Sequence, residues 1–464
     1  MNESSSIWRD LRDAIRGVEF DYTQERLGRA ILLLSVPMML EMSMESVFAV
    51  TDVFFVMKLG PTAAATVGMT EAMLTILYAI AVGLSMGTTA MVARRIGEKN
   101  REGAAVAAVQ ALALGIGLAL AVGLVGGFGA PRMLALMGGG PELVHNGAVY
   151  TRIIFGGNIT IFLLFLINAV FRGAGDASMA MRSLWLANLI NIVLDPCLIF
   201  GLGPFPELGL AGAAVATTIG RGTGVLFQLW TLFGGRTRVV ITREQLKLVP
   251  PVALRLIRVS LFGIFQFLVS TASWVALVRI VSTFGEAALA GYTLAIRILI
   301  FAFLPAWGMS NAAATLVGQS LGAKQPDRAE SAVWRSSFYN MTFLGVVGLI
   351  FILWAEFFVG LFTQEAEVAA NAVSCLRIVS YGYVIYALGM VLVQAFNGAG
   401  DTVTPTIVNL VSFWLFEIPL AYTLAKIVGY GPNGVYASIV AAEALMTLMA
   451  VVLFRRGKWK ERVI

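Results

Sequence analysis

The chain has 464 residues, of which 58% are hydrophobic and only 13% charged, and its formal net charge is +6. A soluble domain is nearer a quarter charged, so this composition excludes an ordinary soluble fold and points to an all-α protein crossing a membrane many times. Nucleic acid is not expected as a partner, because the basic residues lie between hydrophobic stretches, where membrane topology accounts for them.

Residues 1–26 are charged, with Ile7, Trp8, Leu11, Ile15 and Val18 recurring at helical spacing among Arg9, Arg12 and Arg16. That pattern predicts a short amphipathic helix on the cytoplasmic membrane surface, with a disordered tail as the alternative. No cleavable signal is expected, since no short apolar core is followed by small residues. Twelve apolar spans follow, over 28–57, 64–92, 103–128, 142–170, 180–202 and 208–233, then 252–282, 288–317, 328–354, 366–394, 403–427 and 433–455. They group into an N-terminal lobe, 27–233, and a C-terminal lobe, 252–455. A polar linker, 234–251, carries Arg236, Arg238, Arg243 and Lys247, and a basic tail occupies 456–464.

Span one holds three carboxylates in an apolar run. Glu41, Glu45, Phe48 and Asp52 are spaced 4, 3 and 4 apart, so they line one helix face. An acid at bilayer depth costs roughly 2.5–3.5 kcal/mol on insertion scales, so three on one stripe are not expected to face lipid. They either hydrogen-bond to neighbouring helices or line a wet cavity in which an acid exchanges a proton or cation. Met44 is close in sequence to this stripe, and adaptable methionines suit promiscuous binding, although core packing is the simpler role. Span four carries Asn168. Span five carries Asn188, Asn191 and Asp195 on one face, and Pro196 frees the carbonyl of Ile192. If Asp52, Asn168, Asn191 and Asp195 converge, two carboxylates and two amides make an oxygen-rich site for a hard cation or a shared proton. The competing reading is an interhelical hydrogen-bond cluster. In the second half, Gln266, Trp274, Trp307, Asn311 and Glu417 are candidates for a cleft wall.

Basic residues cluster in alternate loops: Arg94, Arg95, Lys99 and Arg101; Arg172 and Arg182; the linker; Lys324, Arg328 and Arg335; and the C-terminal tail. The opposite loops hold little beyond Lys58, Arg132 and Lys426. Both termini are therefore expected in the cytoplasm, with the chain in the inner (plasma) membrane.

The two halves repeat at an offset of 225 residues: Phe171-Arg-Gly-Ala-Gly-Asp176 reappears as Phe396-Asn-Gly-Ala-Gly-Asp401, Gly97 matches Gly322, and Gly60 matches Gly285. Six spans per repeat is an even number, so the two six-helix bundles enter the membrane the same way, as a parallel 6+6 repeat with a central cleft. At that offset Glu41 falls on Gln266, Glu45 on Ser270, Asp52 on Leu277 and Asp195 on Leu420, so coupling is expected in the first half alone. Glu417, near the place of Asp195, is the exception to watch.

This 6+6 repeat, the Gly-Ala-Gly-Asp loop and Asn191-x-x-x-Asp195-Pro196, together with Asp52 and Asn168, resemble the multidrug and toxic compound extrusion (MATE) family over nearly the whole chain. The DinF-like branch fits better than the NorM branch, because span seven has no acid between Arg258 and Phe284. The resemblance implies an antiporter exporting amphipathic, often cationic compounds in exchange for protons or sodium ions. It places the coupling ion at Asp52, Asn168, Asn188, Asn191 and Asp195, and a sodium ion at Asp52, Asn191 and Asp195. Thr217 joins them if the 203–207 loop is an insertion. Glu41, Met44, Glu45 and Phe48 become cavity residues, and Pro37 a hinge or a static kink in span one. No cofactor beyond the coupling ion is implied, and a monomer is expected. The alternative transporter reading is a flippase for a lipid or lipid-linked sugar, which asks for a strongly cationic cleft. A membrane enzyme lacks its constellation: His145 lies near a helix end, and Cys197 and Cys375 stand apart in apolar runs.

Overall fold

The computed structural model describes residues 7–18, 20–235 and 237–464; residues 1–6, Glu19 and Arg236, parts of the expected N-terminal segment and linker, lie outside it. The apolar runs become helices because a backbone in hydrocarbon must satisfy its own hydrogen bonds. Spans one to six are Leu27–Met57, Pro61–Gly97, Arg101–Leu136, Pro141–Ala174, Ala177–Phe200 and Leu210–Phe233. Spans seven to nine are Pro250–Ser282, Glu286–Gly322 and Pro326–Leu353. Span ten is a bent pair, Ala366–Tyr381 and Tyr383–Gly398, and spans eleven and twelve are Val403–Ile427 and Pro432–Arg455. The expected twelve-span, two-lobe organisation is thus present, and no strand occurs among the described residues.

The duplication is written into the backbone. Lys99 and Lys324, 225 residues apart, both take the left-handed conformation (φ 59° and 58°) that non-glycine residues rarely adopt. Span four is interrupted at Gly157 and span ten at Gly382, the same repeat position, where span ten bends by 59°. The copies diverge in span eleven. Span five is α-helical throughout, whereas span eleven is π-helical over Leu410–Glu417 and Thr423–Ile427 with Pro419 between them. A wider turn and a missing N–H shift the register there.

Lipid tails are as apolar as the helices, so helix association relies on close packing. The lobes meet where span one packs on span eight and span two on span seven. A Cβ at Gly83 would collide with the backbone of Ile264, and one at Gly308 with the backbone of Met38 and Met39. These two contacts are related by the 225-residue offset, so the lobe seam has approximate two-fold symmetry. Next to it, Ile31, Leu34, Met38, Ala312 and Leu316 form an apolar cluster.

The face bearing the Gly-Ala-Gly-Asp loops is strapped. Arg238 of the linker pairs with Asp176 (3.5 Å), and Arg462 of the tail pairs with Asp401 (3.1 Å). Tyr22 donates its hydroxyl to the Gly175 carbonyl (3.1 Å), while Arg328 of the other lobe donates to the carbonyls of Tyr22 and Glu25. Arg94 of the first lobe donates to the carbonyl of Arg462. The N-terminal segment and the C-terminal tail therefore each bridge the two lobes, while the linker is held on the first. The N-terminal helix, Ile7–Arg16, lies against span one, with Arg29 bridging Asp10, Asp13 and Glu25 and with Trp8 and Ile15 exposed.

Candidate functional site

Span one is one α-helix through Pro37, whose ring removes the hydrogen bond to the carbonyl of Leu33. Its acid stripe turns inward and is answered by groups on spans four, five and six. Glu41 is buried; its Oε1 accepts from Asn168 Nδ2 (3.1 Å) and from Arg172 Nη1 (2.9 Å). Asn168 in turn accepts through Oδ1 from Gln228 Nε2 of span six (2.6 Å). Glu41 Oε2 and Gln228 Oε1 are buried without a partner, so this network retains acceptor capacity. One turn along, Glu45 Oε2 accepts from Asn188 Nδ2 (3.3 Å).

A second network lies further along span five. Asp195 is fully buried. In its better-satisfied orientation the Asn191 amide donates to Asp195 Oδ2 (3.0 Å) and accepts from the hydroxyl (3.1 Å) and backbone N–H (3.0 Å) of Thr217. Asp52 is half-buried, within electrostatic reach of Asp195, Glu71 and Arg221. The carboxylate, amide and hydroxyl oxygens of this group are ligands suited to a hard monovalent cation, and the two carboxyls equally suit a shared proton.

The expected convergence is thus divided. Asp52, Asn191, Asp195 and Thr217 gather at one level, whereas Asn168 serves Glu41 and Gln228, and Asn188 serves Glu45. Between the levels sits Arg221 of span six, buried in an apolar span. It donates to Tyr78 Oη (3.2 Å), lies 5.7 Å from the Phe48 ring centroid, and is within electrostatic reach of Glu45 and Asp52.

The first of these networks and Arg221 border a cavity of about 300 Å³ between the lobes, whereas Asp52, Asn191, Asp195 and Thr217 lie outside its lining. Glu41, Glu45, Asn168, Arg172, Arg221 and Tyr78 line its first-lobe wall, and Trp307, Asn311, Gln394 and Asn397 face them. Two acids and two arginines make the polar lining charge-balanced, with Met42, Met86, Leu164 and Phe165 supplying apolar surface. Met42 rather than Met44 reaches this cavity; Met44 is buried elsewhere on the helix, and Phe48 packs against Arg221. Gln266 is buried outside the lining, Trp274 packs on the second-lobe core, and Glu417 is buried apart from the cavity.

Arg172, Arg221 and Gln228 were not among the residues anticipated. Arg172 reads as a topology charge beside a loop. Arg221 carried a usable signal: a cation in an apolar span, four residues after Thr217 and seven before Gln228, is on the same helix face as both.

A family model described as MatE matches residues 37–197 and 263–423, one match in each lobe and together well over half of the chain. Over 452 residues the chain is 27% identical to the "Probable multidrug resistance protein NorM" of Thermotoga maritima, with 94% of each chain covered. It is 23% identical over 433 residues to the "FAD transporter" of Shewanella oneidensis, covering 93% of this chain and 95% of that one. The fold superposes on a solved MATE structure in the straight conformation with a TM-score of 0.89 at 28% identity, covering 95% of this chain and 98% of the other.

Proposed function

We propose, on the premise that this chain belongs to the MatE family of transporters, that it is a secondary antiporter exporting amphipathic, often cationic compounds in exchange for protons or sodium ions. A multi-pass membrane transporter of the multidrug-efflux kind is what the family and the named relatives support. The finer reading adds the coupling site and the cargo. The observation that carries it is the pair of linked polar networks on spans one, four, five and six, one of which opens into the interlobe cavity.

In this reading the ion enters between Asp52 and Asp195. Without a cation the two carboxylates repel across a low-dielectric gap. A bound proton or sodium ion removes that repulsion and draws spans one and five together. Span one lacks a hydrogen bond at Pro37 and presses on Gly308 of span eight one residue later, so a change in its shape acts directly on the lobe seam. The ion need only bias one bundle between two packings. Cargo sits against Glu41, whose second oxygen is unpartnered and attracts a cationic centre, while Trp307 and the apolar wall take its hydrophobic body. Both termini are placed in the cytoplasm, with the strapped face inward and the protein acting as a monomer. No enzymatic step is part of this reading.

The flippase reading requires a cationic cleft. Arg172 and Arg221 supply two cations, but Glu41 pairs with the first and Glu45 lies within reach of the second. The test is reconstitution of the wild type in proteoliposomes with an imposed pH or sodium gradient. We expect gradient-driven accumulation of a fluorescent cationic dye. Movement of a labelled lipid-linked sugar with no dye transport under either gradient would replace the antiporter reading by the flippase one.

A further inference from the structure

The strapped face carries two copies of one groove, and they are filled unequally. In the first lobe the groove lies between the start of span one and the turn into span five, bounded by Leu33, Gly175, Asp176 and Ser178. The N-terminal segment fills it: Ala14 is buried, Asp13 and Gly17 share the lining, and about 10 Å³ remains open. At the offset of 225 residues those four positions become Arg258, Gly400, Asp401 and Val403, and they bound a groove of about 370 Å³ between spans seven and eleven. Val463 and Ile464 of the tail join its lining, but no helix fills it among the described residues.

The side chains differ as the filling does. Ala30 and Leu33 belong to the apolar cluster that seats Ala14 and Tyr22 in the first lobe. Their counterparts in the second lobe are Arg255 and Arg258. Both arginines are exposed, and neither is ion-paired to an acidic side chain or to the terminal carboxylate among the described residues. Asp401, the acidic side chain of the lining, is already answered by Arg462 (3.1 Å) and by the Thr404 hydroxyl (2.7 Å). Two side-chain cations are therefore left over.

Polarity changes along the groove. Arg255, Arg258, Val259 and Phe262 share one face of span seven. Along that face the lining passes from two guanidinium groups to an isopropyl and a phenyl group within roughly 10 Å of helix rise. On the adjoining surface of span seven, Leu261 and Phe265 are exposed, as lipid-facing residues are. A soluble anion would need the cations alone. A groove that is basic at its mouth and apolar further in matches a molecule with an anionic head and a hydrocarbon tail.

We propose that this groove binds one anionic phospholipid, its phosphate between Arg255 and Arg258 and the first part of an acyl chain against Val259 and Phe262. The lipid takes in the second lobe the place that the N-terminal helix takes in the first. Charge-assisted hydrogen bonds from guanidinium to phosphate supply the recognition. In the assigned orientation the lipid comes from the cytoplasmic leaflet; the site itself does not depend on the antiporter reading.

The test reads lipid retention in detergent, without gradient or cargo, so it stands apart from transport and from orientation in the membrane. Wild type, Arg255→Gln/Arg258→Gln, Val403→Trp, and the charge-matched control Arg132→Gln/Arg243→Gln are mixed with phosphatidylglycerol or phosphatidylcholine in micelles. Bound lipid is counted by native mass spectrometry, and Tm reports folding of each variant. Wild type should retain one phosphatidylglycerol in preference to phosphatidylcholine. Affinity for it should fall roughly fivefold per arginine removed, about 30-fold for both, and be unchanged in the control. Val403→Trp, which fills the groove and leaves both arginines, should lose the lipid as well. Equal retention of the two lipids by wild type, or unchanged phosphatidylglycerol binding in either groove variant, overturns the proposal. Complete displacement of the lipid by millimolar glycerol phosphate also overturns it, assigning the cations to a soluble phosphate. If a groove variant does not fold, wild type is photolabelled with phosphatidylglycerol carrying a diazirine in its acyl chain. Adducts on the stretches of spans seven and eleven that border the groove support the site, and adducts confined to other spans overturn it.

Discussion

Glu41 and Arg172 illustrate how a residue's surroundings decide its energetics. Their side chains are 1% and 11% exposed and 2.9 Å apart, so neither charge is solvated by bulk water. Breaking such a pair by removing one partner costs about 3–5 kcal/mol, because the other is left buried and uncompensated, whereas replacing both is often near neutral. Glu41→Gln, which keeps the acceptor for Asn168 but removes the charge, should lower Tm measurably in detergent. Glu41→Gln combined with Arg172→Met should recover part of that loss, and a purely additive double-mutant cycle would show that the pair is not coupled. The acids of the stripe were legible because a carboxylate in an apolar run is conspicuous. Their partners were less so: Arg172 sits where topology alone explains a cation, and Gln228 carries no charge to draw notice. The division of Asn168 from Asp195 was not legible at all, since shared helical depth does not say which neighbouring span a side chain meets.

At the level of elements, the lobe seam rests on helices approaching at backbone distance. Gly83→Ala and Gly308→Ala each place a methyl group against an opposing main chain, whereas Gly117 has no heavy atom within reach of a Cβ. Overpacking a tight contact costs typically about 1–3 kcal/mol. Both seam variants should therefore lower Tm and slow export, with Gly117→Ala close to wild type; equal behaviour of all three would show that the seam tolerates separation. Most element boundaries were readable because glycine, proline and charge punctuate long apolar runs, as at Gly60-Pro61 and Gly138-Gly-Gly-Pro141. Span eleven escaped that reading. Its π-helical turns flank Pro419, and a proline inside an apolar span reads as a kink without saying that the turns beside it widen. That irregularity shifts span eleven from the constant offset of 225, and the shorter connection 428–431, against 201–209 in the first lobe, shifts span twelve the other way.

For the whole molecule, the duplicated backbone supplies two lobes while the side chains make them unequal. A charge-bearing network occupies one, an open basic groove marks the other, and a charge-balanced cavity lies between. The parallel repeat was legible from three motifs on one offset; the charge balance of the cavity was not, because it depends on Arg172 and Arg221 turning inward together. If the basic loops set orientation, reporters fused at either terminus should read cytoplasmic and one inserted at Gly139 external, and an external C-terminus would contradict the assigned topology. The central claim is that ion coupling resides at Asp52 and Asp195. Its most direct measurement is dye export by Asp195→Asn in proteoliposomes, with imposed pH and sodium gradients varied separately. The account predicts that the variant inserts normally but that its export no longer responds to either gradient; gradient-driven export equal to wild type would contradict it.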